Sequence, residues 1–149
     1  MSEQSLKEFT FTLDTKEQME LMLIILYTAL DVINHKDSDF VKEECPVGWQ
    51  DLFDEIPKVI NLIDFMSCDI FNCVKRFSYT LYNDQIFIFS IIVATASSIM
   101  MTEKKEFVEL NLPIGWQEIF SSGQKKKAME RLTDALLDRM AYAEEQGIL

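Results

Sequence analysis

Two carboxylates, Asp51 and Glu118, occupy the same position in two copies of one motif. The motif reads Pro-Val-Gly-Trp-Gln-Asp-Leu-Phe over residues 46–53 and Pro-Ile-Gly-Trp-Gln-Glu-Ile-Phe over residues 113–120. Paired carboxylates can perform general acid–base catalysis. An acidic residue at the third position of a helix can instead accept hydrogen bonds from the free backbone amides there and favour the positive helix terminus. We expect this structural role, and therefore a protein that is not an enzyme.

Other residues that carry chemistry are sparse. The only histidine, His35, lies in a polar stretch, so a His-rich metal site is excluded and a catalytic triad has little support. The four glycines are scattered singly, which argues against a phosphate-binding loop. The three cysteines, Cys45, Cys68 and Cys73, lack Cys-x-x-Cys spacing. We expect no metal and no cofactor. The odd cysteine count, with no secretory leader, favours the cytoplasm.

The duplicated motif is part of a longer internal repeat. Phe9–Leu13, read Phe-Thr-Phe-Thr-Leu, returns as Phe77–Leu81, read Phe-Ser-Tyr-Thr-Leu. The copies are separated by 68 residues here and by 67 at the tryptophan motif. Matches in one order with one gap indicate a tandem duplication. We predict a single domain, 1–149, in which repeat 1 (about 8–70) and repeat 2 (about 76–149) are related by a pseudo-two-fold axis.

The local patterns predict a mainly α fold with a few short strands. The alternation at Phe9–Leu13 is typical of a strand, and Thr15 with Gln18 forms a capping box that starts a helix ending near Asn34. The Trp motif opens a second helix, which Pro57 should bend or divide. Each repeat is therefore predicted to be a strand–helix–helix unit.

The second copy contains an ambiguous segment. Residues 86–93 are rich in β-branched and aromatic side chains, so a strand hairpin is an alternative to the helix that we favour from the first copy. Gln85–Thr102 carries no charge, yet its Ser and Thr residues favour a buried core helix over a membrane span. A terminal helix is predicted from Lys125 to Gln146, with a buried stripe at Met129, Leu132, Leu136 and Met140.

Charge is the feature that folding does not explain. Residues 1–69 hold 15 Asp/Glu and 5 Lys, a net charge of −10, whereas residues 70–149 hold 10 Asp/Glu and 9 Lys/Arg, a net charge of −1. Such asymmetry argues against direct binding of nucleic acid and for a protein partner with a basic surface. The leading hypothesis is an inhibitor of the immunity, antitoxin or phage counter-defence type. Its predicted contact residues are Asp37, Asp39, Phe40, Glu43, Glu44, Asp54 and Glu55.

A small-molecule or peptide site between the repeats is the alternative. Trp49, Gln50, Trp116 and Gln117 would line it, although a repeated Trp at a helix start is more often a large core side chain. A homo-oligomer is left open by the sequence.

Overall fold

The chain folds as a mainly helical protein with one two-stranded antiparallel sheet. In this computed structural model, the described residues are 7–35, 49–73, 76–101 and 115–147. The predicted fold class is confirmed at this level. The elements are β1 (Glu8–Leu13), α1 (Lys16–Asn34), α2 (Trp49–Asp54), α3 (Ile56–Phe71), β2 (Phe77–Tyr82), α4 (Asp84–Met101), α5 (Gly115–Ser121) and α6 (Gly123–Glu145).

The sheet joins the two predicted strands to each other. β1 pairs with β2 in a register that sets Phe11 opposite Tyr79 at its middle. The inner face carries apolar side chains, and the Phe11 ring stacks on Phe89 of α4 with centroids 4.9 Å apart. The outer face is hydroxylic, with Thr10 and Thr80 Oγ1 atoms 2.8 Å apart. The sheet therefore contributes one apolar face to the core.

Helix α1 starts as the capping box predicts. Thr15 Oγ1 accepts a hydrogen bond from the Gln18 amide at 3.1 Å. The Gln18 side chain reaches back one residue further than a standard capping box, and accepts from the Asp14 amide at 2.7 Å. Met22, Ile25 and other apolar residues along the helix are buried, so α1 lies inside the fold.

Residues 86–93 are helical, which confirms the helix over the alternative hairpin. They belong to α4, which packs against α1, α2, α3 and α6 and buries Ile88, Phe89, Ile92 and Val93. Within the described ranges, no helix combines the length and apolar character needed to cross a membrane.

The segment after each Trp motif is divided into a short and a long helix. Pro57 occupies the first turn of α3, directly after the break at Glu55, as predicted from its missing amide donor. In the second copy, Ser122 caps α6 by accepting from the Lys125 amide at 3.4 Å. Helix α6 begins two residues before the predicted start. Its predicted stripe of Met129, Leu132, Leu136 and Met140 is buried.

Side chains from both halves form one buried cluster. β1 and α1 contribute to it together with β2, α4, α5 and α6. Helices α1 and α4 contact each other, while α3 packs on α1 and α6 packs on α4. Burial of this apolar surface is the main source of stability expected for a chain of this size.

Candidate protein-interaction surface

The outward side of α3 presents polar and aromatic residues at helical spacing. Val59, Leu62, Ile63, Met66 and Ile70 point into the core. The opposite positions are solvent-exposed, as expected for a helix with one buried stripe. We call these the α3 outer face: Asn61, Asp64, Phe65, Cys68, Asp69 and Asn72.

Two phenylalanines of α3 remain in solvent. The exposed fraction is 63% for Phe65 and 67% for Phe71. A single exposed apolar residue is ordinary, but two large rings on one helix leave apolar surface that a partner could cover. Leu132, which follows Phe65 by 67 positions in the sequence, is only 7% exposed.

The carboxylates around this face are unpaired within the described part of the chain. Asp64 and Asp69 are exposed on α3, and Asp51 and Asp54 are exposed on α2. None of the four makes an ion pair with another described residue. Unpaired surface carboxylates leave a negative potential over the helix pair.

The two segments that begin at the two tryptophans differ in charge. Residues 49–73 carry five Asp/Glu and one Lys, a net charge of −4. Residues 116–140 carry four Asp/Glu and five Lys/Arg, a net charge of +1. Both segments fold as a short helix followed by a long one. The negative charge is therefore not a requirement of this helical arrangement.

The one lysine of α2 and α3 is already engaged. Lys58 Nζ lies 3.2 Å from Asp84 and 3.7 Å from Glu55. The hydrogen bond to Asp84, together with the charge of Glu55, raises the pKa of the Lys58 ammonium. A cleft of about 270 Å³ lies beside it, bounded by α3 residues including Phe65 and by the start of α4. Lys58 thus adds no free positive charge to the surface.

Glu118, one of the two motif carboxylates, forms an ion pair. Its Oε2 atom lies 2.5 Å from Lys125 Nζ, with both side chains exposed. This hydrogen bond lowers the pKa of Glu118 and raises that of Lys125. Asp51 is exposed on α2, and no hydrogen bond or ion pair links it to Glu118 in the described part of the chain.

The lone histidine is placed at the end of a helix. His35 Nδ1 lies 2.8 Å from the Asp31 carbonyl oxygen, in the last turn of α1. Partial burial raises the pKa of the Asp31 carboxyl, and the nearby His35 opposes this shift. This contact lets the His35 ring interact with a carbonyl group in the last turn of α1, which is a structural role.

Most of the contact residues predicted from the sequence lie outside the described residues. These are Asp37, Asp39, Phe40, Glu43 and Glu44. Of the others, Asp54 is exposed and Glu55 is half-buried beside Lys58.

The sequence analysis did not single out Asp64, Phe65 and Asp69. A signal was present in the sequence, because these residues fall between the apolar positions of the predicted helix and therefore on its opposite side.

The tryptophan positions are only partly described. Trp116 is fully buried, its Nε1 donates to Thr28 Oγ1 at 2.7 Å, and its ring lies 5.7 Å from that of Phe120. Gln117, beside it in sequence, is exposed. The Trp49 and Gln50 side chains lie outside the described residues. Trp116 therefore has the environment of a core side chain, with its only polar atom already paired.

No group of three or more potential metal ligands occurs among the residues that the structure covers. The chain matches no protein-family model, no curated protein and no solved structure in the comparisons made. Fold and surface therefore define it by class alone, as a mainly helical protein with an acidic, aromatic α3 outer face.

Proposed function

We propose that this protein is a non-enzymatic interaction protein that docks the acidic side of its first half onto a basic surface of another protein. Most concretely, it is an inhibitor of the immunity, antitoxin or phage counter-defence type. One observation carries the proposal. The α3 outer face combines unpaired carboxylates with an exposed Phe65, whereas Leu132 of α6, 67 positions later, is buried.

The charged and the apolar residues of such a face would contribute to binding in different ways. Asp64 and Asp69 steer a cationic surface toward the protein and set its orientation. Phe65 supplies apolar area that charge alone cannot provide, because tight interfaces depend on a few buried aromatic or Arg anchors. A nucleic-acid-binding site is one basic surface that such a face would block, because its carboxylates would mimic the phosphates of the nucleic acid.

The proposed docking surface extends beyond α3. The α3 outer face continues the acidic character of Asp54 on α2, which the sequence had already assigned to the contact. The acidic stretch between α1 and α2 completes the proposed contact, with Asp37, Asp39, Phe40, Glu43 and Glu44.

We infer that the surface arose by divergence after a tandem duplication. The order strand, long helix, short helix, long helix occurs twice, with α1 and α4 starting 68 residues apart and α3 and α6 starting 67 apart. The strand register also supports a pseudo-two-fold axis, because Phe11 pairs with Tyr79, the residue 68 positions later. An axis between these two residues would exchange the other pairs with one another, Phe9–Leu81 with Leu13–Phe77 among them.

A reducing compartment, such as the cytoplasm, suits this proposal. Cys68 lies on the α3 outer face as an exposed free thiol, and Cys73 is also free. An exposed thiol in the docking face is compatible with long-term function where thiols stay reduced.

Charge reversal with a matched control tests the proposal. The variant Asp64→Lys/Asp69→Lys and the control Asp134→Lys/Asp138→Lys change the net charge by the same amount on exposed positions of α3 and α6. Tagged versions of both are expressed in the native cell beside the unaltered protein, and co-purified proteins are compared by quantitative mass spectrometry. We expect a specific partner that the α3 variant loses and the α6 variant retains. Equal retention by both variants would contradict docking through α3.

The salt dependence of binding provides an independent measurement. Once the partner is purified, its affinity should fall as salt is added, since unpaired surface charges are screened. An affinity that does not change with salt would instead indicate an apolar or small-molecule type of recognition.

A further inference from the structure

The outer edges of β1 and β2 differ in the side chains that contact them. At β1, Arg139 of α6 donates from Nη2 to the Thr10 carbonyl oxygen at 2.8 Å, and its guanidinium lies 5.2 Å from the Phe9 ring centre. The residue equivalent to Arg139 in the first half is Asn72. Its side chain instead donates to the Cys68 carbonyl within its own helix, at 3.0 Å. Among the described residues, no side chain bonds to the Ser78 or Thr80 backbone on the β2 edge as Arg139 does to Thr10 on the β1 edge.

The alternation of hydrogen-bonded and non-hydrogen-bonded residue pairs in the sheet shows which backbone groups face the outer edge of β2. The Asn83 amide donates to the Lys7 carbonyl at 2.9 Å, so these two residues form a hydrogen-bonded pair. Because such pairs alternate along an antiparallel ladder, the backbone groups of Ser78, Thr80 and Tyr82 point away from β1. Gln85 Oε1 accepts from the Tyr82 amide at 3.0 Å.

Four backbone groups at the centre of this edge remain without a partner among the described residues, in addition to the Tyr82 C=O near its end. The N–H and C=O groups of Ser78 and Thr80 have no hydrogen-bond partner in the described part of the chain. A free edge of this kind is a template for pairing with another strand. The usual protections are missing too, since Phe77–Tyr82 contains neither a charged residue nor a proline.

We propose that β2 is a self-association edge, and that a second copy of this chain adds its own β2 in antiparallel orientation. The free groups lie symmetrically about Tyr79, so a two-fold related copy pairs Ser78 with Thr80 of the second copy and Thr80 with its Ser78. The four central groups of each copy are then satisfied, and two two-stranded sheets become one four-stranded sheet. A two-stranded ribbon is marginal by itself, and a broader sheet is more stable.

Charge favours a second copy as the occupant. Arg76 precedes β2 and pairs with Asp14 at 3.0 Å, and Asp84 follows β2 and pairs with Lys58 at 3.2 Å. Neither end of the strand therefore presents an unpaired charge that would repel a second copy. The half that contains β2 carries only a small part of the chain's net charge of −11, because residues 70–149 sum to −1. This edge is therefore a place where two acidic molecules can approach.

Proline substitution tests the edge directly. Thr80→Pro removes an outward N–H without touching the β1–β2 ladder, and edge strands tolerate proline at such positions. Thr12→Pro is the matched control, since Thr12 stands 68 positions earlier and its N–H also points away from the ladder. We expect the unaltered protein to be a dimer by sedimentation equilibrium. Each dimer has two such N–H groups, so Thr80→Pro should weaken dimerisation about ten-fold or more. Thr12→Pro should leave it unchanged.

Hydrogen exchange on the unaltered protein supplies a measurement that needs no variant. The Ser78 and Thr80 amides should become protected as protein concentration rises, whereas the Thr12 amide should not. A chain that stays monomeric at every accessible concentration overturns the proposal, whatever it binds through α3. A dimer that Thr80→Pro leaves intact, or that both proline variants weaken equally, also overturns it.

Discussion

The indole N–H of Trp116 donates a 2.7 Å hydrogen bond to the hydroxyl of Thr28, in the interior and across 88 positions of the sequence. This bond joins the short helix α5 of the second half to the long helix α1 of the first. Thr28 in turn donates to the Ile24 carbonyl, so its hydroxyl both accepts and donates a hydrogen bond.

The Trp116–Thr28 bond should contribute measurably to stability. Thr28→Val leaves the buried indole N–H without an acceptor, and we expect a loss of about 1–3 kcal/mol in the free energy of unfolding. Thr95→Val is the matched control, because Thr95 is also buried but bonds only to the Ile91 carbonyl of its own helix. Urea denaturation of both variants checks this. Equal losses would show that the indole bond contributes nothing of its own.

Truncation of Leu132 in α6 should lower stability, whereas truncation of Phe65 in α3 should mainly weaken binding of the partner. Leu132→Ala removes buried side-chain volume and should cost about 2–4 kcal/mol. Phe65→Ala removes a mostly exposed ring, so its cost should stay below about 1 kcal/mol, while binding of the docking partner weakens. Thermal denaturation gives the first comparison and titration calorimetry the second. A large stability loss for Phe65→Ala would mean that the ring serves the fold rather than a partner.

Arg139 should protect the β1 edge. Arg139→Ala removes the hydrogen bond to Thr10 and the contact with the Phe9 ring, and we expect a loss of about 1 kcal/mol. Arg131→Ala, on an exposed part of the same helix, should change stability by less than about 0.5 kcal/mol. Chemical denaturation compares the two. The prediction is wrong if the two arginine variants cannot be distinguished.

The Asp31 carboxyl gives a pH dependence of defined sign. Burial raises its pKa in the folded state, so the folded protein binds this proton more tightly than the unfolded chain. The contribution of Asp31 to stability therefore declines as pH rises from the unfolded pKa through the folded one. Asp31→Asn should be more stable than the unaltered protein above that window, with the difference vanishing in acid. Denaturation curves across this pH range test the sign, and a variant that is less stable at neutral pH would reverse it.

The sequence predicted those elements whose cause is local. Thr15 and Gln18 fixed the start of α1 because a capping box needs only adjacent residues. Pro57 indicated the break between α2 and α3, because its ring removes the backbone N–H that a residue inside a helix donates. The helix over 86–93 was decided only by comparison with the first copy, since β-branched residues alone suit either structure.

The internal repeat and the charge asymmetry were properties of the sequence by itself, since both need only the order of residue types. Tertiary structure decided which side chains are left in solvent. Phe65 is exposed and Leu132, 67 positions later, is buried, because burial depends on what packs above each helix. The pairing of β1 with β2, and the difference between their outer edges, likewise required the fold, since strand partners distant in sequence are chosen by the core that they cover together.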